Sequence, residues 1–477
     1  MLWLLIGAAL IVFLAVLLLR AAAFKPAAEE KFEEDPIDLD HDRIVESMQQ
    51  MIRCKTVSNR YEDLVDQNEF QKFRDLLKER YPRIHAAATR IRCGETGVLY
   101  HIPGKSSEKP SVCMAHYDVV PVVEEMWTVP AFDGLVKDGC IWGRGTLDTK
   151  GTLCGLMEAL EKMLSDGFVP ANDLYLSFSG DEEVDGNSCP AIVDYLEQHG
   201  IRPAIVVDEG GAVVENVFPG VKRECAVVGI AEKGGLNYDF ILEGKPGHAS
   251  TPPTRQSLGK LARAIVSLES KPFPSRLTKP AAEMFDTLGR HSTFLYRLIF
   301  ANLWCFKGVL DMICKSSGGE LNALMRTTVA LTRAQGSDAY NVLPAKASFG
   351  INTRVLPGET NETVMARLKE TIKNEEISIR FVSGTEPSPC SETSGQAWDT
   401  LKRAIAQTWT DAIVSPYLMM ACSDSRHYCR ISNHVYRFCA MKLSKEERGM
   451  IHGHDERVPI ETMVKTAEFY VRLLRQL

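Results

Sequence analysis

Four short segments in the N-terminal half of the chain each join an apolar, β-rich run to a turn that carries acid. They read Ala115-His116-Tyr117-Asp118-Val119-Val120-Pro121, Gly143-Arg144-Gly145-Thr146-Leu147-Asp148-Thr149-Lys150-Gly151, Ser179-Gly180-Asp181-Glu182-Glu183 and Val206-Val207-Asp208-Glu209-Gly210-Gly211. Val112 to Ala115, Asp173 to Ser179 and Ile205 to Val207 read as short buried strands. From Gly151 to Leu164 the apolar residues Leu153, Leu156, Met157, Leu160 and Leu164 recur at helical spacing. Strand, motif, helix, strand, motif is the rhythm of an α/β sandwich. Such a sheet places its chemistry at the carboxyl ends of its strands. One imidazole and several carboxylates gathered there are the ligand set of a metal-dependent hydrolase.

At 477 residues the chain is too long for one ordinary core. A net charge of −7 gives no reason to expect nucleic acid as a partner. The 13 cysteines are scattered and none forms a CxxC pair, which predicts buried thiols rather than a metal knuckle.

Leu2 to Leu19 is an unbroken apolar run closed by Arg20. As a helix it spans roughly 27 Å, close to the ~30 Å hydrocarbon thickness of a bilayer. The competing reading is a cleaved signal peptide with Ala21-Ala22-Ala23 as its small-residue site. No basic residue precedes the run, and its length exceeds a signal core, so a single-span membrane anchor is expected over residues 1–24. Arg20 and Lys25 follow the span, which by the positive-inside rule would put the body in the cytoplasm; the acidic residues that come next count little in that rule, and the side is left open. A charged, proline-containing linker is expected over 25–42 and a first catalytic segment over 43–223. Near Glu224 the pattern changes: Cys225 to Ile230 and Leu236 to Leu242 read as paired strands opening a second domain, 224–387. Within it, 272–335 is long, irregular and often apolar. From 388 to 477 the chain is expected to return to the first domain.

The motifs carry chemistry in their spacing. His116 and Asp118 share one face at a strand end, so the carboxylate can fix the tautomer of a metal-bound imidazole. Asp148 lies in a glycine-rich turn; alone it would read as a helix N-cap. Glu182 and Glu183 repel unless a cation or shared proton intervenes, and Asp208-Glu209 repeats that logic. No GxSxG elbow or phosphate loop is present.

The order HxD, GxxDxKG, GDEE, a later Asp/Glu, Pro246-Gly247-His248-Ala249-Ser250 and a distal Ile451-His452-Gly453 resembles the dinuclear zinc hydrolases of the aminoacylase and glutamate carboxypeptidase family. The apolar insert and the GRGTLD and IHG segments look most like its carboxypeptidase S branch, which includes the N-fatty-acyl-amino-acid synthase/hydrolases. The resemblance covers nearly everything from about residue 40 onward. It implies an α/β fold: a zinc-exopeptidase-like three-layer sandwich with an inserted α+β lid and dimerisation domain. Its pattern makes Asp148 a carboxylate bridging two zinc ions, with cobalt or manganese as substitutes. His116 and Asp208 would complete one metal site, Glu183 and His452 the other. Glu209 competes with Asp208, and His454 with His452; the branch pattern favours Asp208 and His452. Glu182 would be the general base, Asp118 the orienter of His116, and His248 an oxyanion donor, in many members across a homodimer interface. Asn341 and Arg354 match positions that grip a substrate carboxylate, and Asp424 to Arg426 resemble a substrate-side loop. The implied reaction cleaves the amide of a small peptide or N-acyl amino acid with a free carboxylate. A dipeptidase or aminopeptidase is the alternative enzyme; an inactive binding homologue would have lost a ligand or the base, and this chain has lost none.

Overall fold

A computed structural model describes residues 1–317 and 319–477. Its centre is an eight-stranded mixed sheet. The strands run in the order Thr89–Cys93, Gly97–Ile102, Asn172–Ser179, Ser106–His116, Ile205–Val214, Val435–Lys442, Cys225–Glu232 and Ile413–Met419. The central pairings are parallel, and the first two strands join antiparallel at one edge. Parallel sheets are covered on both faces, which explains the unbroken apolar runs. Along Ser106–His116 the side chains alternate: Cys113 and Ala115 enter one core, Val112 and Met114 the other. Helices Lys150–Ser165, His41–Ile52 and Ile460–Leu474 cover the first face, and Ser188–Gln198 covers the second.

A smaller antiparallel sheet runs Thr328–Gln335, Lys346–Val355, Gly234–Glu243, Ser378–Thr385. Helices Ser257–Ser270 and Asn361–Ile372 back it, enclosing a separate core around Tyr238, Phe240, Phe349 and Leu368.

Two sequence expectations are corrected here. Cys225–Glu232 does not pair with Gly234–Glu243: it lies in the large sheet beside Ile413–Met419. The chain passes between the sheets at Lys233 without reversing, so the change of sheet falls there rather than at residue 224. The Lys233 amide donates to the Met419 carbonyl at 3.0 Å, and Gly234 already pairs with Val355. With no turn between them, two consecutive apolar runs imitate a hairpin only on paper. The apolar stretch within 272–335 is also not irregular. It forms helices Lys279–His291, Phe294–Phe300, Leu303–Ser317 and Gly319–Met325. Met284, Phe285, Leu288 and Phe300 pack into the core of the large sheet, so this part of the insert returns to the first domain.

One helix among the described residues, Leu2–Ala23, is long and apolar enough to cross a membrane. The 25–40 segment is irregular but not detached. Glu29 reaches Arg223 at 2.9 Å and His291 at 3.2 Å, and Ile37 and Leu39 pack on the main core.

Candidate metal centre

The strand Ser106–His116 ends on the His116 ring, which is buried. Nδ1 lies 3.1 Å from the Asp118 carbonyl oxygen and 3.3 Å from its carboxylate. An Nδ1–H directed there leaves Nε2 to face Asp148, where a bound cation would replace the Nε2 proton. The buried Asp118 carboxylate also accepts the amides of Glu182 (3.2 Å) and Glu183 (3.1 Å). One residue thus orients the imidazole and fixes the short turn that follows strand Asn172–Ser179.

Asp148 sits just ahead of helix Lys150–Ser165, whose N-cap is Thr149. Its Oδ1 is 2.9 Å from His116 Nε2, and its Oδ2 is 3.1 Å from His452 Nε2. His452 Nε2 is also 3.0 Å from Glu183. Each oxygen of one carboxylate therefore faces a different imidazole, the arrangement of a bridging ligand. His454 makes no ion pair with these carboxylates. His452 adopts φ 59°, a left-handed conformation that costs a non-glycine residue about 1–3 kcal/mol. The bond from Arg144 Nη2 to the Gly453 carbonyl, 2.7 Å, helps to hold it.

The Asp208-Glu209 pair differs from expectation. It lies not at a strand end but within Ile205–Val214, at a bulge where Arg437 pairs with Asp208 and Phe438 with Gly211. Bulges re-aim side chains. A Cβ on Gly211 would meet the Val227 carbonyl oxygen at 1.8 Å, so the neighbouring strand can approach only glycine there. At this bulge Glu209 Oε1 comes within 3.5 Å of His116 Nε2. Asp208 Oδ2 instead accepts the Ser425 amide at 3.1 Å. His116, Glu182 and Glu209 have ligand atoms close enough to share an ion, as do His116, Asp148 and Glu183.

Acid crowds this centre. Burial pushes Glu182 well above the usual carboxylate range, and the charges of Glu209, Asp424 and Asp118 add to it against His116. Burial likewise pushes Glu209 up to about 8 and Asp424 up to about 7. Burial opposes ionisation of Asp148 too, but hydrogen bonds from His116 and His452 hold it below its ordinary value. Hydrogen bonds to Asp148 and Glu183 in turn push His452 up to about 10. Binding a cation must displace that proton. Carboxylates raised by crowding, with two imidazoles turned toward them, fit a pair of divalent cations.

The residue that sequence reasoning missed is Glu456, fully buried beneath Asp148. Its Oε1 accepts the amides of Gly145 (3.1 Å), Leu147 (2.8 Å) and Asp148 (3.3 Å). Its Oε2 accepts Arg144 Nη1 at 2.6 Å, and its carbonyl accepts the Gly143 amide at 2.9 Å. This carboxylate binds the GRGTLD loop to the loop carrying His452, two segments that meet only in the fold. The available signal was a charge in each of two glycine-containing loops, Arg144 and Glu456, which one sequence cannot pair.

The remaining site residues lie elsewhere. His248 is exposed and its Nδ1 is 2.8 Å from Ser250 Oγ, with no ion pair to the centre. Asn341 neighbours it, its carbonyl accepting the Ala249 amide at 3.0 Å. Arg354, on the smaller sheet, reaches the main body: Nη1 is 3.5 Å from Cys422 Sγ. Two residues further on, Asp424 Oδ2 accepts Ser179 Oγ at 2.5 Å, and the Arg426 guanidinium pairs with Asp185.

Residues 112–476 match the model of peptidase family M20/M25/M40. A probable carboxypeptidase S-like 2 of Dictyostelium discoideum is 34% identical over 429 residues, covering 88% of this chain and 82% of that protein. The N-fatty-acyl-amino acid synthase/hydrolase PM20D1 of Xenopus tropicalis is 32% identical, covering 98% and 93%. Among solved structures, the M20 family metallo-carboxypeptidase Sso-CP2 of Sulfolobus solfataricus superposes with a TM-score of 0.65 at 16% identity, covering 92% of this chain and 99% of that one. The chain belongs to peptidase family M20/M25/M40 and is a metal-dependent hydrolase of that family.

Proposed function

We propose that this hydrolase cleaves the amide bond of N-acyl amino acids, or of small peptides, whose amine half keeps a free carboxylate. The observation that carries the reading is Asp148, with one oxygen toward His116 and the other toward His452. Two zinc ions held there, by His116 and the Asp208-Glu209 pair on one side and Glu183 and His452 on the other, would acidify the attacking water and polarise the scissile carbonyl. Glu182, next in sequence to a ligand but not itself paired with either Asp148-facing imidazole, takes the proton of the attacking water and delivers it to the leaving nitrogen. Arg354 offers a planar guanidinium for the substrate carboxylate. His248 and Asn341, exposed on the small domain, are read as oxyanion and carboxylate donors to the centre of a second copy. Leu2–Ala23 is read as a single-span anchor. The names of both relatives fit an amino acid leaving group.

A hydrolysis screen of dipeptides and N-acyl amino acids of graded acyl length tests this. Hydrolysis of the N-acyl series is expected. Arg354→Ala is expected to lose about 10–100-fold on carboxylate-bearing substrates, the scale of a charged hydrogen-bonded pair, and much less on amidated analogues. Equal losses on both remove Arg354 from carboxylate recognition. Cleavage confined to substrates with a free α-amine would instead mark an aminopeptidase.

The bulge makes a separate prediction. Glu209→Gln is expected to lower bound metal from about two to about one per chain, whereas Asp208→Asn retains both. The opposite result assigns the ligand to Asp208, the choice the sequence pattern favoured.

A further inference from the structure

The helices Phe294–Phe300 and Leu303–Ser317 turn an apolar face outward, beside the N-terminal helix. On Leu303–Ser317 the exposed apolar residues are Trp304 (61% exposed), Val309, Met312 (63%) and Ile313, spread over the half of the helix that faces away from the core. Leu310 and Cys314 point inward and are buried, so the helix already has a satisfied core face. Leu295 on the preceding helix, 68% exposed, extends the patch. Among the described residues, Phe13 of the N-terminal helix touches it at the edge of Trp304, and its members stay exposed. Patches of this kind on soluble surfaces mark a binding site for something apolar.

The N-terminal helix identifies the occupant. Its second half is fastened to the elbow between these helices. Asn302 Nδ2 donates to the Leu17 carbonyl at 3.1 Å, and Arg20 donates to the Ala301 carbonyl at 2.9 Å and to Asn302 Oδ1 at 3.1 Å. Higher up, Trp304 meets Phe13 edge-on, with ring centroids 6.0 Å apart. Seven residues separate Phe13 from Arg20, which is about 10 Å along a helix axis. If Arg20 marks the headgroup level, Trp304 lies at the depth of Phe13, inside the hydrocarbon. That matches the ~5–10 Å to which interfacial helices bury an apolar face. Lys307 and Lys315 are exposed on the same helix, Lys315 beside Asp311 at 3.5 Å, and their long side chains can carry an amine up to anionic headgroups.

We propose that the elbow Phe294–Ser317 is a second membrane contact, inserted into the leaflet nearest the body alongside the N-terminal helix. The inference rests on reading Leu2–Ala23 as a span, and it adds that the catalytic body lies down on the bilayer. The insert is then divided: Met284, Phe285, Leu288 and Phe300 fill the core, and Trp304 and Met312 face lipid.

Tryptophan fluorescence of the full chain in phosphatidylcholine–phosphatidylserine vesicles tests it, using lipids brominated high on the acyl chain as quenchers. Trp3 and Trp304 are exposed, while Trp127, Trp142, Trp398 and Trp409 are nearly buried. Trp3→Phe removes the anchor's signal. The quenching that survives is expected to be lost when Trp304→Phe is added. If no quenching survives Trp3→Phe, or if Trp304→Phe leaves it unchanged, the elbow is off the bilayer and the proposal fails while the anchor stands. If the wild-type chain shows no bromolipid quenching and does not float with the vesicles, the anchor reading itself fails and takes the proposal with it. Trp304 shielded from aqueous iodide in a lipid-free dimer, and unquenched by bromolipid, would assign the patch to a second copy.

Discussion

Glu182→Gln is expected to lower turnover by about 10²–10⁴-fold, the usual scale for losing a general base, while metal content stays unchanged. The amide of Glu182 is held by Asp118, and that bond does not depend on the side-chain charge. The turn that presents Glu183 therefore survives the substitution, and so does the metal site. Glutamine keeps the shape and removes proton acceptance. Single-turnover hydrolysis together with metal analysis reads both halves. Turnover within a few-fold of wild type assigns the base elsewhere, and loss of metal would make Glu182 a ligand.

Asp148→Asn is expected to do more. The bridging role needs both oxygens as acceptors, and an amide turns one of them into a donor aimed at His116 or His452. Bound metal should fall from about two to below one per chain. Activity should fall beyond the ~10²–10⁴-fold range of a lost base. The backbone of this loop is held by the Glu456 carboxylate, through the amides of Gly145, Leu147 and Asp148, so the fold should persist. Unchanged circular dichroism beside absent metal is the expected signature. Retention of two metals would deny Asp148 the bridge.

Much of the centre was legible in the sequence because its residues sit in compact segments with distinct chemistry. The adjacent pair Glu182-Glu183 at the end of a buried strand calls for a cation or a shared proton, and His116 with Asp118 pairs an imidazole with a carboxylate that can orient it. Less legible were features set by long-range packing. The choice between Asp208 and Glu209 depends on a bulge, which the partner strand around Arg437 and Phe438 imposes. The role of Glu456 depends on two loops far apart in sequence meeting beneath Asp148. The passage at Lys233 from one sheet to the other left no turn residues to read apart from two glycines that begin the next strand. The insert's apolar residues carried a real signal, but periodicity does not say what covers a face. Met284, Phe285 and Phe300 go into the core of the large sheet, while Trp304 and Met312 face outward.

The account turns on two cations sharing Asp148, and metal analysis of the purified full chain tests this most directly. About two zinc, cobalt or manganese ions per chain are predicted, with hydrolysis abolished by chelation and restored by adding the metal back. Full hydrolysis by a chain that holds no more than a trace of metal would contradict it.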